Sequence, residues 1–373
     1  MNYEIKTLNE LSLDGKGSYG IAASAVPYSD ELYTYLRITD IKDDGNLDKS
    51  NLMSVADKKA YNYTLKKNDI VFARTGASTG RNYFYDETDG ELVYAGFLIK
   101  FSLDVKKVNP KFVKYYCQSK AYKDWIHSFN TGSTRGNINA KTYGTLPIPV
   151  FPRNYQNKVV SILDSIDLKI KNNIDINNNL EQQAFAIFDN MFPDSSTGSN
   201  IIGSIITPQR GKTLLSKDAI PGKVPVVAGG LEPATYHNKS NTTSPVLTIS
   251  ASGANAGYVN LWNIPVWSSD SSYIDISMTN NVYFWYVMLK KRQQEIFDAQ
   301  TGSAQPHIYP KHIAAMPVTD LESNDIIQFT KIVTPLFQTI GTNKQENIKL
   351  AEIRDSLLPK LMSGELDVSD IER

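Results

Sequence analysis

The chain has 373 residues, 41% hydrophobic and 21% charged, which excludes a disordered protein and leaves room for two or three domains. Lys plus Arg equals Asp plus Glu at 39 each, so a polycationic, non-specific nucleic-acid binder is excluded too. The single cysteine, Cys117, excludes an intrachain disulfide, no apolar run approaches the roughly 18–20 residues of a membrane span, and MNYEIKTLNELSLDG lacks a signal-peptide core, so a cytoplasmic protein is expected.

In chain order, residues 1–152 form a first globular segment. NDIVFART (68–75) and ELVYAGFLIKFSL (91–103) read as strands, and NPKFVKYYCQSKAYKDWI (109–126) as a helix. Residues 153–192 carry a long helical pattern with Asn154 as its N-cap. Val159, Leu163, Ile166, Ile170 and Ile174 step by three or four, followed by Leu180, Ala184, Ile187 and Met191. PDSSTGSN (193–200) is a linker into a second globular segment, 193–320. There SPVLTIS (244–250) and SSYIDISM (271–278) read as strands and NNVYFWYVMLKKRQQEIF (280–297) as a helix. Residues 321–373 repeat the long helix, with Asn324 as N-cap and Phe329, Val333, Leu336, Ile340, Leu350, Leu357 and Leu361 on its stripe. Pro335 should kink this helix or mark its true start. Net charge runs +3, −1, +1 and −3 across the four segments, too small an asymmetry to identify a DNA binder by itself.

The order globular, helix, globular, helix is an internal repeat. TGASTGR (75–81) parallels SGANAGY (252–258), and TGSTRGNI (131–138) parallels TGSAQPHI (301–308). Each second motif is followed by a lysine, Lys141 or Lys311, and an apolar-Pro-apolar step at Pro147 or Pro317. The offset of the second motif continues through both long helices, where Asn177 and Asn347 share one slot of the apolar stripe. A buried Asn fixes register between paired helices, so an antiparallel coiled coil is expected, although each helix could simply pack on its own domain. The fold class is therefore α/β (α+β): two mixed domains joined and spaced by two long helices.

Motifs that resemble catalytic signatures fail in context. GASTG (76–80) fits the G-x-S-x-G nucleophile elbow. Its repeat, GANAG (253–257), has Asn255 where the nucleophile would stand, so the glycines persist and the Ser does not. RGKT (210–213) ends like a P-loop, but seven residues separate its glycine from the nearest upstream one, Gly203, rather than four. His307 and His312 are joined by no Cys or carboxylate pair in metal-ligand spacing. No catalytic residue and no metal site is expected.

The repeated glycine loops are the candidate binding surface. Glycine allows positive φ and close backbone approach. The first half places Arg74, Thr75, Ser78, Thr79, Arg81, Ser133, Thr134, Arg135 and Asn137 around them; the second places Ser250, Ser252, Asn255, Tyr258, Ser303, Gln305 and His307. Arg reads guanine and Asn or Gln reads adenine bidentately, while hydroxyls and backbone N–H groups hold phosphates. Taken singly, each loop could be an ordinary hairpin turn. A shared frame with exchanged side chains is expected where each half reads a different base sequence. A helix of nearly 40 residues spans roughly 55 Å, against about 34–36 Å for one duplex turn, so paired helices would act as a ruler between two half-sites.

This alternation, with ITPQRGKTLLSKDAIPGKVPVVAGGLEPATYHN (206–238), the TGS loops and LAEIRDSLLPKLMSGELDV (350–368), resembles the specificity subunits of type I restriction–modification systems over essentially the whole chain. The resemblance implies two target-recognition domains, 1–152 and 193–320, each reading half of a bipartite site in double-stranded DNA. It implies spacer helices at 153–192 and 321–373 that dock two modification (methyltransferase) subunits, joined by restriction subunits. S-adenosylmethionine, ATP and Mg would belong to those partners, with no cofactor in this chain, no enzymatic activity of its own and no membrane association. A specificity subunit of a methylation-only system fits equally. Two further readings compete: a coiled-coil scaffold for protein partners without DNA selectivity, and a hydrolase using Ser78.

Overall fold

The computed structural model describes residues 2–129, 136–302 and 305–368. It divides into two compact units, one of residues 1–168 with 350–373, the other of residues 169–349. The first unit contains β1 (Glu4–Thr7), α1 (Leu8–Leu11), β2 (Ser18–Tyr19), β3 (Ala25–Pro27), β4 (Tyr33–Leu36), β5 (Met53–Val55), β6 (Asp69–Ala73), β7 (Asn82–Phe84), β8 (Leu92–Tyr94) and β9 (Leu98–Ser102). Then come α2 (Pro110–Tyr116), α3 (Lys120–His127), α4 (Ala140–Gly144), β10 (Pro147–Val150) and the first part of α5 (Arg153–Met191).

An antiparallel sheet of order β2-β9-β6-β7 carries the repeated glycine loop of this unit. A second sheet, β3-β5-β4-β8, contains one parallel pair, β4 with β8. β6 is buried on both faces, and its buried Asp69 is met by Lys100 at 3.3 Å and by the Ser102 hydroxyl at 2.6 Å. Such pairing is what allows a carboxylate inside. Phe72, Phe101, Phe112, Tyr115, Tyr143 and Leu163 form the core, together with Leu361 from the C-terminal end of the second long helix. Cys117 is buried in it, and burial pushes its thiol pKa up, which keeps it protonated and unreactive.

The second unit repeats the plan. Its strands are β11 (Asn200–Ile201), β12 (Gln209–Arg210), β13 (Val224–Val227), β14 (Thr235–His237), β15 (Val246–Ser250), β16 (Val259–Trp262), β17 (Trp267–Ser268), β18 (Ser271–Asp275) and β19 (Pro317–Val318). Its helices are α6 (Val282–Lys291), α7 (Gln293–Asp298), α8 (Pro310–Ala314) and most of α9 (Ser323–Ser363). The sheet β12-β18-β15-β16 matches β2-β9-β6-β7 strand for strand, and β11 pairs β19 as β1 pairs β10. Residues 282–289 of α6 are buried all round, as an apolar helix without a polar face must be. They pack among Phe188, Phe329, Val333 and Phe337.

Within the second unit, Asn177 accepts from Asn343 at 2.8 Å and Asn173 donates to Asn347 at 2.8 Å. In the first unit, Arg354 reaches Asp167 at 3.2 Å and the Tyr155 hydroxyl donates to the Leu361 carbonyl at 2.7 Å. As numbers rise along α5 they fall along α9, so the two helices pair antiparallel.

Several expectations need correction. α5 and α9 begin at Arg153 and Ser323, so Asn154 and Asn324 lie inside the first turn rather than capping it. Pro335 sits well within α9 and does not mark its start. Asn177 and Asn347 share a slot of the stripe as expected, and each meets a further Asn of the opposite helix, Asn343 and Asn173 respectively. Ile174 is 48% exposed, and Asn173 and Asn177 take the seam beside it. The single helix expected over 109–126 breaks at Cys117, where Ser119 caps α3; that over 280–297 breaks at Arg292. No helix among the described residues is long and apolar enough to cross a membrane.

Candidate nucleic-acid interface

In the first unit the chain leaves β6 into a single helical turn at Gly76–Ser78 and returns through Gly80 and Arg81 to β7. The Gly80 N–H donates to Ala73 and the Arg81 N–H to Ser78. A second segment lies alongside: Thr75 bridges Asn137, and the Ile138 N–H donates to the Arg74 carbonyl at 2.9 Å. The second unit reproduces this bond for bond. Gly257 donates to Ser250, Tyr258 to Asn255, Ser252 bridges His307, and Ile308 donates to Ala251 at 3.0 Å. The two repeated motifs, far apart in sequence, thus form one cradle in each unit.

The glycines have a physical cause. Gly80 has φ +93°, and a Cβ there would stand 2.6 Å from Ile126; Gly257 has φ +89° and would meet Ile296 at 2.8 Å. Both helices α3 and α7 press on the loop at the matching place. The recurrence therefore belongs to the backbone, as the exchange of Ser78 for Asn255 predicts. Ser78 itself is 8% exposed, packed into the turn rather than presented as a nucleophile.

The side chains on the cradle differ. Arg74 lies over the Tyr19 ring at 5.0 Å, its Nη2 is 3.4 Å from Asn137, and its buried Nε has no partner among the described residues. The Thr79 hydroxyl is within reach of the Gly76 and Gly136 carbonyls at 2.8 and 3.0 Å, tying the two segments together. Arg81 turns aside to Asp43 at 2.6 Å and the Ile41 carbonyl. In the second unit Ser252 donates to Asp270, whose other oxygen takes Arg210 at 2.5 Å. Tyr258 turns to α6, where Lys290 stands 4.1 Å from its ring centre. Burial raises the Tyr258 pKa and lowers that of Lys290, with Lys344 lowering the latter further against Glu181. His307 stacks on Tyr309, and Gln305 is exposed. Ser250 is buried, and Asn255 is half-buried in its turn.

The cradle thus brings together Arg74, Thr75, Thr79 and Asn137 in one unit, and Ser252 and His307 in the other. Arg81 and Tyr258 are held to one side. Ser133, Thr134, Arg135 and Ser303 lie outside the described residues. Sequence reading missed Tyr19, Phe97, Arg210 and Asp270. Their partners in the repeat sit at offsets other than those of the two motifs, so a search at fixed spacing passes them by. RGKT (210–213), which ends like a P-loop without the spacing of one, places Gly211 where the chain passes the Ser268 carbonyl. Among the described residues no cluster of His, Cys, Asp and Glu could hold a metal.

Residues 2–182 match the family model of the type I restriction modification DNA specificity domain. A Mycoplasma pneumoniae protein named as a type I specificity subunit is 27% identical over 69% of this chain and 74% of its own length. The specificity subunit of the type I restriction enzyme MjaIX of Methanocaldococcus jannaschii is 24% identical over 70% of each chain. The solved S subunit of a type I restriction–modification system from M. genitalium shares the fold, with a TM-score of 0.59 and 21% identity over 97% of this chain and 96% of that one. The duplicated cradle and the paired helices agree with these matches: the chain carries a type I DNA-specificity domain over residues 2–182 and is similar, over about 70% of its length, to the specificity subunits of type I restriction–modification systems.

Proposed function

We propose that this chain chooses the DNA sequence on which a type I complex acts. Residues 1–152 and 193–320 serve as two target-recognition domains, each reading half of a bipartite, gapped duplex site through its cradle. The long helices at 153–192 and 321–373 dock modification subunits, two per chain, and restriction subunits join through these. S-adenosylmethionine, ATP and Mg are supplied by those partners; this chain contributes recognition and no catalytic group. One observation carries the reading: an identical hydrogen-bonded cradle occurs twice, with different side chains on it. Identical function would keep the side chains, and a purely structural turn would not need a second segment bridged to it twice.

The test is methylation mapping of cellular DNA with and without this chain, the modification subunit being present throughout. Loss of methylation from one gapped motif on deletion is expected. An unchanged methylome, with the modification subunit captured by the chain in a pull-down, would instead make it a protein scaffold.

A further inference from the structure

The cradle frame extends beyond the two sequence motifs. Gly20 donates to the Leu98 carbonyl as Gly211 donates to Ser271, which sets Tyr19 and Arg210 at one position of the frame. Arg74 donates its backbone N–H to Phe97 at 3.0 Å as Ala251 donates to Asp270 at 3.1 Å, which sets Phe97 and Asp270 at another. At these two positions the first unit carries aromatic rings, Tyr19 42% and Phe97 60% exposed. The second carries an ion pair, Arg210 to Asp270 at 2.5 Å, with side chains 41% and 35% exposed. Asp270 is fixed further by the Ser252 hydroxyl on its second oxygen. The pair is well exposed to solvent, so it contributes little to folding.

A carboxylate beside a guanidinium is a poor phosphate site, because the pair is neutral and the carboxylate repels the backbone. It is a good match to one base pair. The major-groove edge of a G·C pair shows two acceptors on guanine, N7 and O6, next to the N4 amine donor of cytosine. A guanidinium has five N–H donors, and the bond to Asp270 occupies one nitrogen only. Asp270 is an acceptor held at its side.

Resting on the function proposed above, we infer that Arg210 and Asp270 read a G·C pair in the half-site of the second unit, with Arg210 donating to guanine and Asp270 accepting from cytosine. Tyr19 and Phe97 give the first half-site a different preference at the matching position.

The experiment uses the chain co-expressed with its modification subunit. It maps methylated motifs and measures binding of the complex to duplexes differing at one base pair. Arg210→Lys keeps the charge and the bond to Asp270, so the fold is retained. It is expected to lose discrimination at one G·C position of one half-site by about 5- to 150-fold, with the other half unchanged. Asp270→Asn is expected to relax the same position. Uniform weakening on all sequences by Arg210→Ala, with a shallower salt dependence, would make Arg210 a phosphate contact and overturn the inference. Unaltered motifs in both variants would overturn it too, leaving the function of the chain intact. Only the absence of any gapped motif for the unsubstituted complex would remove that function as well.

Discussion

Gly80 and Gly76 both have positive φ, yet their surroundings differ. A Cβ on Gly76 would meet nothing within 4 Å, and the same holds at Gly253. Gly76→Ala should therefore cost only the left-handed conformation, about 1–2 kcal/mol. Gly80→Ala adds a collision with Ile126 and should cost clearly more, lowering the thermal midpoint further; equal shifts would show that the packing is not as tight as the 2.6 Å approach implies. His312 gives a pH dependence with a definite sign. Its Nδ1 accepts from the Tyr309 N–H at 3.3 Å, and burial, then Lys311, lower its pKa from 6.5. The unfolded chain takes up the proton first, so the contribution is whole above about pH 6.5 and is lost as pH falls through the folded value. Thermal melts at pH 7.5 and 5.5 should show a smaller acid loss for His312→Asn than for the unsubstituted chain.

At the scale of the element, the four asparagines of the seam are two pairs exchanged by the repeat. Asn173 with Asn347 corresponds to Asn343 with Asn177. Asn173 also donates to Glu346, and this bond, then Lys169, holds the Glu346 pKa down. Replacing Asn173 by Leu leaves the Asn347 side-chain oxygen without its donor in a half-buried seam and should cost about 1–3 kcal/mol. The double change Asn173→Leu with Asn347→Leu should be close to neutral, since an apolar pair needs no partner. A double variant as damaged as the single would mean that Glu346 or the neighbouring backbone, rather than the pair, supplies the stability. The presence of these helices was readable from their period, because every turn repeats the same apolar demand. Their partners were not, because an offset in sequence relates equivalent residues whereas antiparallel packing joins inequivalent ones.

For the whole molecule, duplication predicts independence of the two readers. Arg74→Ala removes a guanidinium whose Nε lacks an acceptor among the described residues, and should relax or weaken one half of the methylated motif only. Change in both halves would show that Arg74 supports the complex rather than reading bases.

Much of the site was visible before folding. The glycines and the flanking polar residues of both loops stand in the sequence at regular offsets. Arg74 and Asn137 were named together, and the fold places them 3.4 Å apart. Arg81 and Tyr258 were named as well, and neighbours from outside the motifs, Asp43 and α6, drew them aside. The sequence by itself determined the duplication, the two long helices and the backbone character of the glycine loops, because these depend on local propensity and period. Only the tertiary structure decided which side chains share the cradle, that Tyr19 answers Arg210 and Phe97 answers Asp270, and which asparagines meet. Those depend on strand pairing and helix packing between residues far apart in the chain, and no local pattern encodes either.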